Sequence, residues 1–169
     1  MEKVAVYPGS FDPITNGHVD LLERGMKIFD RIVIAIAANP AKKPLFSLEE
    51  RLEMIAQSLE SHPLRDRMQI DIFHGLLVDY VRTVKADAIL RGLRAISDFE
   101  YEFQMALMNR KLSSEIETLF LMTAMRWIYI SSRIIKEVVT SGGCVTGLVP
   151  GPVEQKLIEK LRPAAKTSL

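Results

Sequence analysis

Cysteine is almost absent from the 169 residues: Cys144 stands alone, so no intramolecular disulfide can form. No His or Cys lies beside it to begin a metal cage, and we read it as an ordinary thiol in a Gly-rich loop. Long apolar runs are missing too. The longest, Ile32 to Ala38, falls far short of the roughly 20 residues a membrane-spanning helix needs. The N-terminus opens on a strand pattern instead of a basic-then-apolar leader, which leads us to expect a cytoplasmic protein. Charge of one sign is also lacking. The formal net charge of +1 gives no electrostatic case for a nucleic-acid partner, and a membrane partner has no support. Neither the G-x-x-x-x-G-K-S/T phosphate loop nor the G-x-G-x-x-G dinucleotide fingerprint occurs, which removes the two commonest nucleotide readings. There is no H-E-x-x-H cluster and no legible Ser-His-Asp arrangement, so neither a zinc hydrolase nor a serine nucleophile is indicated.

What remains is an alternation of strand-like and helical patterns from end to end, the signature of an α/β protein whose parallel sheet is covered by helices. Candidate strands are Lys3 to Tyr7, Ile32 to Ala37, Met68 to Phe73, Asp87 to Leu90 and Thr118 to Met122. Ser47-Leu48-Glu49-Glu50 reads as a capping box, ahead of a stripe of Leu48, Leu52, Ile55, Ala56 and Leu59. Ser97-Asp98-Phe99-Glu100 reads as a second one, opening a helix apolar on more than one side. Such a helix is either deeply buried or placed at a subunit contact. A helix from Ser132 to about Thr140 and a terminal one carrying Val153, Leu157, Ile158 and Leu161 complete the pattern, with Pro152 suited to the last helix's first turn. The length suits one domain, 1–163, followed by a short polar tail at 164–169 that we expect to fray.

The most informative segment is Y-P-G-S-F-D-P-I-T-N from Tyr7 to Asn16, followed by Gly17 and His18. It joins the first strand to a helix whose apolar face holds Leu22, Met26 and Phe29. A helix start offers unpaired N–H groups and the positive dipole end, a seat for phosphate, with His18 in its first turn. Gly, Pro and Asn would equally serve ordinary turn and cap chemistry. The ends of the other strands weigh against that plainer account. They bring Lys42 and Lys43, then Arg91-Gly92-Leu93-Arg94, then W-I-Y-I-S-S-R at Trp127 to Arg133, to the rim where parallel sheets bind ligands. A helix start, one imidazole and scattered cations suit a reaction in which charge on a phosphoryl group is positioned and neutralised. With no nucleophile paired to a base, direct transfer between two bound substrates is the simpler reading.

Thr15-Asn16-Gly17-His18 together with Ile130-Ser131-Ser132-Arg133 resembles the paired motifs of the nucleotidylyltransferase superfamily. Lys42 to Arg51, Arg91 to Gln104 and Ile130 to Glu137 are similar, more narrowly, to the bacterial phosphopantetheine adenylyltransferases. The resemblance implies a Rossmann-like three-layer domain with a five-stranded parallel sheet, assembled as a homohexamer. It implies adenylyl transfer from ATP to 4'-phosphopantetheine with Mg2+, giving dephospho-CoA and pyrophosphate. By the same likeness His18 stabilises the transition state at the α-phosphate, and Ser10 and Lys42 hold the acceptor phosphate, with Arg91 and Leu77 on the pantetheine side. Ser10, Phe11, Gly92, Leu93, Arg94 and Glu102 fall around the nucleotide, together with Trp127, Ile128, Tyr129 and Ile130. Ser131 and Ser132 would grip the departing phosphates, and Arg133, where relatives carry Ser, adds a cation nearby. The metal ligands are not indicated. Each role has a plainer rival: solvated lysines, helix-capping serines, core packing for Trp127 and Tyr129, and ion pairs of Arg91 or Arg94 with Asp98 or Glu102. Two other functions compete, a superfamily enzyme with a different acceptor and a non-catalytic nucleotide sensor.

Overall fold

A computed structural model of the chain describes residues 2–38, 43–94 and 96–162, with backbone only at 96 and 97. Lys42, the tail at 164–169 and the end of the assigned domain lie outside the described residues. The strands are β1 (Val4–Gly9), β2 (Arg31–Ala37), β3 (Met68–Phe73), β4 (Ala88–Leu93) and β5 (Glu117–Met122). They pair in parallel in the order β3-β2-β1-β4-β5. The helices are α1 (Asn16–Gly25), α2 (Leu48–Leu59), α3 (Leu77–Thr83), α4 (Ile96–Leu112), α5 (Ser132–Thr140) and α6 (Gly151–Leu161).

Strand β2 reads I-V-I-A-I-A because both its faces are covered. Ile32, Ile34 and Ile36 pack with Leu22, Met54, Ile55, Val139 and Leu157 from α1, α2, α5 and α6. Val33 and Ala35 face the other way, with Val4, Val6 and Ile89, onto Val78 and Val81 of α3. Each fully buried aliphatic side chain contributes roughly 1.5–3 kcal/mol of burial. This is the three-layer α/β domain that the resemblance implies.

The strand order reverses between β1 and β4, and there the pairing is short: Ala5 with Ala88 and Val6 with Ile89. Beyond Val6 the two strands part, leaving the crevice in which parallel sheets take ligands. Pro8, with no N–H to give, sits past the last rung. Its carbonyl accepts instead from Arg91 Nη1 at 2.7 Å. Gly92 faces the same crevice, and a Cβ there would stand 2.9 Å from Leu21 Cδ1.

Two expectations are corrected. The fourth strand does not end at Leu90, because β5 continues to pair with Arg91, Gly92 and Leu93 and draws them into the ladder. Ser97 does not cap its helix, since α4 already begins at Ile96. Of the two readings given for helix α4, deep burial is not what the structure shows. Phe99, Phe103, Leu107, Met108 and Leu112 are each about half exposed on it. The Ser47 box is as expected, with Glu50 N–H donating to Ser47 Oγ (3.2 Å) and Ser47 N–H to Glu50 Oε2 (2.7 Å).

Candidate active site

A cleft of about 1370 Å³ opens at the carboxyl ends of β1 and β4. Of the residues singled out from sequence, Ser10, Phe11, His18, Leu77, Arg91, Gly92, Arg94, Glu102, Trp127, Ile130, Ser131, Ser132 and Arg133 line it. Leu93 does not, being turned into the interior by strand alternation. Ile128 and Tyr129 are exposed and lie outside its wall.

His18 is the third residue of α1, and its ring reaches back to the start of the helix. Thr15 N–H donates to Nδ1 at 3.0 Å, and Thr15 Oγ1 lies 2.9 Å from the same atom. An imidazole thus occupies the place that Glu or Gln holds in a capping box. Because Nδ1 accepts, the proton of the neutral ring sits on Nε2, where it can be donated into the cleft. Phe11 is the buried wall behind it, its ring edge-on to His18 with centroids 5.2 Å apart. That position requires the left-handed backbone at Phe11 (φ 44°), and Gly9 makes room, since a Cβ there would stand 2.9 Å from the Phe11 ring. Burial, and then the nearby guanidinium groups of Arg94 and Arg91, push the His18 pKa down to about 4. The ring is therefore neutral at pH 7. The unfolded ring takes up its proton near pH 6.5 and the folded one only near 4, so this residue lowers stability as the pH falls across that interval.

The two arginines at the end of β4, Arg91 within it and Arg94 just past it, are not free cations. Arg91 Nε donates to Glu102 Oε2 at 2.7 Å, and Nη2 donates to the other carboxylate oxygen, a two-pronged pair joining β4 to α4. Arg94 donates through Nε to Asp98 Oδ2 (3.0 Å) and through Nη1 to the Ile130 carbonyl (2.9 Å). The ion-pair rival to phosphate binding is thus what the structure contains, although both side chains still line the cleft. Glu102 is first of all the partner of Arg91.

At the start of α5, Ser131 Oγ accepts from Ile134 N–H at 3.1 Å, capping the helix while keeping its own proton free to donate. Ser132 Oγ donates to the Pro13 carbonyl at 2.7 Å, tying α5 to the β1 loop. Arg133 is 87% exposed and pairs with Glu137 at 2.9 Å along the helix, a surface pair of small energetic worth.

Several cleft residues escape sequence reading. Asp12, buried, accepts from Lys136 Nζ (2.5 Å) and from the N–H groups of Leu45 (3.0 Å) and Phe46 (2.9 Å). Burial raises its pKa, but the Lys136 ammonium and the two amides outweigh that and hold it below the ordinary value. A depressed carboxylate contributes stability above its unfolded pKa and loses it as the pH falls through the folded one. Wild type is therefore expected to be more stable than Asp12→Asn at pH 7, with the two converging below about pH 4 in denaturant titrations. A constant gap across pH would remove this role for the carboxylate. Lys136 is four residues from Ser132 on α5, a spacing that could have flagged it. Asp12 and Arg51 lie in stretches singled out from sequence, but nothing in their spacing assigns them a role.

The fold and cleft are those of a nucleotidyltransferase: the cytidylyltransferase-like family matches residues 6–138, most of the chain. A structure from Vibrio parahaemolyticus described as a nicotinate-nucleotide adenylyltransferase superposes with a TM-score of 0.71 at 14% identity, covering 94% of this chain and 99% of that one. A bifunctional NMN adenylyltransferase/ADP ribose pyrophosphatase from Francisella tularensis gives 0.67 at 17% identity, over 94% of this chain and 50% of that one. At such identities they speak for the fold alone. The phosphopantetheine adenylyltransferase of Desulfosudis oleivorans is 59% identical over 159 residues, covering 94% of this chain and 93% of its own. That of Carboxydothermus hydrogenoformans is 56% identical over 160 residues, covering 95% and 97%. The chain belongs to the phosphopantetheine adenylyltransferase family.

Proposed function

We propose that this chain transfers the adenylyl group of ATP to 4'-phosphopantetheine, releasing pyrophosphate and forming dephospho-CoA, by direct in-line attack. The observation that carries the reading is the neutral His18 ring, pinned through Nδ1 by Thr15, in one cleft with the start of α5 and the paired arginines. The acceptor's phosphate, whose second pKa is about 6, is largely ionised near pH 7 and needs no general base. Its oxygen attacks the α-phosphorus while the bond to the β-phosphate oxygen breaks. His18 Nε2–H donates to a non-bridging α-oxygen, and that bond strengthens as charge gathers in the transition state. Ser10 and Lys42 hold the acceptor phosphate. Leu77 lies beside the pantetheine arm. The Ser131 hydroxyl and the helix start behind it receive the pyrophosphate.

Magnesium accompanies ATP in this reading. Among the described residues no three His, Cys, Asp or Glu side chains converge to hold a metal. The triphosphate oxygens and water would therefore be its main ligands, as suits an ion that dehydrates reluctantly. We infer a homohexamer in the cytoplasm, with the half-exposed apolar face of α4 supporting a contact between subunits. Among the described residues no helix is long and apolar enough to cross a membrane.

Pyrophosphate release from ATP, followed with and without 4'-phosphopantetheine, tests the assignment. Release is expected only when both substrates are present. Acceptor-independent release, or preference for glycerol phosphate or a pyridine mononucleotide, would overturn it.

A further inference from the structure

Arg51 on α2 is only 4% exposed, yet among the described residues no carboxylate lies within 4.0 Å of its guanidinium. It donates through Nη1 to the Ser10 carbonyl at 2.8 Å and through Nε to the Ser47 carbonyl at 3.2 Å. Carbonyl dipoles satisfy its hydrogen bonds, and Asp12 and Glu49 act on it only from beyond ion-pair distance, so the charge is incompletely cancelled, which is costly for a buried cation. The nearest buried carboxylate, Asp12, is already committed to Lys136 and to the amides of Leu45 and Phe46. Of these groups Arg51, Lys136 and Asp12 line the cavity, two cations and one carboxylate, while Glu49, the other carboxylate acting on Arg51, does not. The excess positive charge lies directly beneath the Ser10 turn.

We infer that Arg51 is a positioning residue for the acceptor: it fixes the Ser10 main chain and keeps an incompletely compensated positive charge under it, which the acceptor's phosphate dianion balances on docking. The inference rests on the reading of Ser10 as part of the acceptor's seat. A merely structural anchor between α2 and the β1 loop would affect both substrates alike or only the melting temperature. A positioning residue for the acceptor separates them. It also makes the phosphate, more than the pantetheine arm, the part of the acceptor that Arg51 serves.

Steady-state kinetics of the full-length enzyme, with each substrate varied in turn, distinguish these cases for wild type, Arg51→Lys and Arg51→Met. Arg51→Met is expected to raise the acceptor KM by at least about tenfold, the effect of losing a charge-assisted hydrogen bond, with the ATP KM within about threefold. Arg51→Lys keeps the charge without the fork and should fall between. Calorimetry compares binding of 4'-phosphopantetheine with that of pantetheine. Wild type should favour the phosphorylated form, and Arg51→Met should lose most of that preference. Equal loss for both substrates, or an unchanged acceptor KM, overturns the inference. If Arg51→Met fails to fold, Arg51→Lys decides: an unshifted acceptor KM in it is fatal. Failure of wild type to release pyrophosphate in response to the acceptor would instead sink the proposed function, a separable result.

Discussion

His18→Ala is expected to lower turnover by at least about a hundredfold while ATP affinity changes by less than about tenfold. The ring is neutral in the free protein, so it adds no net charge to the ground-state attraction for ATP. Its hydrogen bond to the α-phosphate gains strength only as the phosphorus becomes crowded with negative charge, which places the loss in kcat. Thr15 N–H, left without the ring nitrogen, turns to water in the space vacated, so the helix start should survive. Single-turnover kinetics beside equilibrium ATP binding measure both quantities. Weaker binding at unchanged turnover would contradict the assigned role.

Arg91→Ala should be the most destabilising single change in the cleft. It strips Glu102 of a two-pronged partner and the Pro8 carbonyl of its donor, both in the partly buried seam where β1 and β4 separate. Breaking such a pair by removing one member costs about 3 kcal/mol, because the carboxylate left behind is mostly out of water and has lost its counter-charge. For a domain of this size that corresponds to a fall of about 6–12 °C in melting temperature. Arg91→Lys keeps the charge but not the fork and should recover only part of it. Replacing both partners with apolar residues of similar volume should recover more stability than Arg91→Lys does, without restoring activity. A melting temperature within about 2 °C of wild type for Arg91→Ala would show that the pair with Glu102 does not hold this seam together.

The strands were legible because two covered faces demand near-continuous aliphatic runs, and each was located to within a few residues. Helix α3 was not, since its few residues carry too little periodicity to separate it from a loop. In the cleft, the residues that motifs carry arrive as expected: His18 in its first turn, Ser131 at a cap, Arg91 and Arg94 at the rim. What escaped is pairing at a distance. The partner of Asp12 is Lys136 on α5, and Arg51 holds the Ser10 carbonyl, 41 residues away along the chain; neither relation leaves a pattern in the sequence. Arg91 was visible as a cation, but its commitment to Glu102 depends on how α4 crosses β4. Spacing cannot report that.

The segment beginning α1 is fastened from the far end of the chain. Asn16 N–H donates to the Leu148 carbonyl at 3.0 Å, and its side-chain amide donates to the Gly147 carbonyl at 2.7 Å. Those acceptors are among the last residues a ribosome adds before α6. A nascent polypeptide short of them could fold much of its sheet and still leave the imidazole's turn untethered. Competence to engage nucleotide would then arrive late in synthesis, so that truncated products neither sequester ATP nor turn it over.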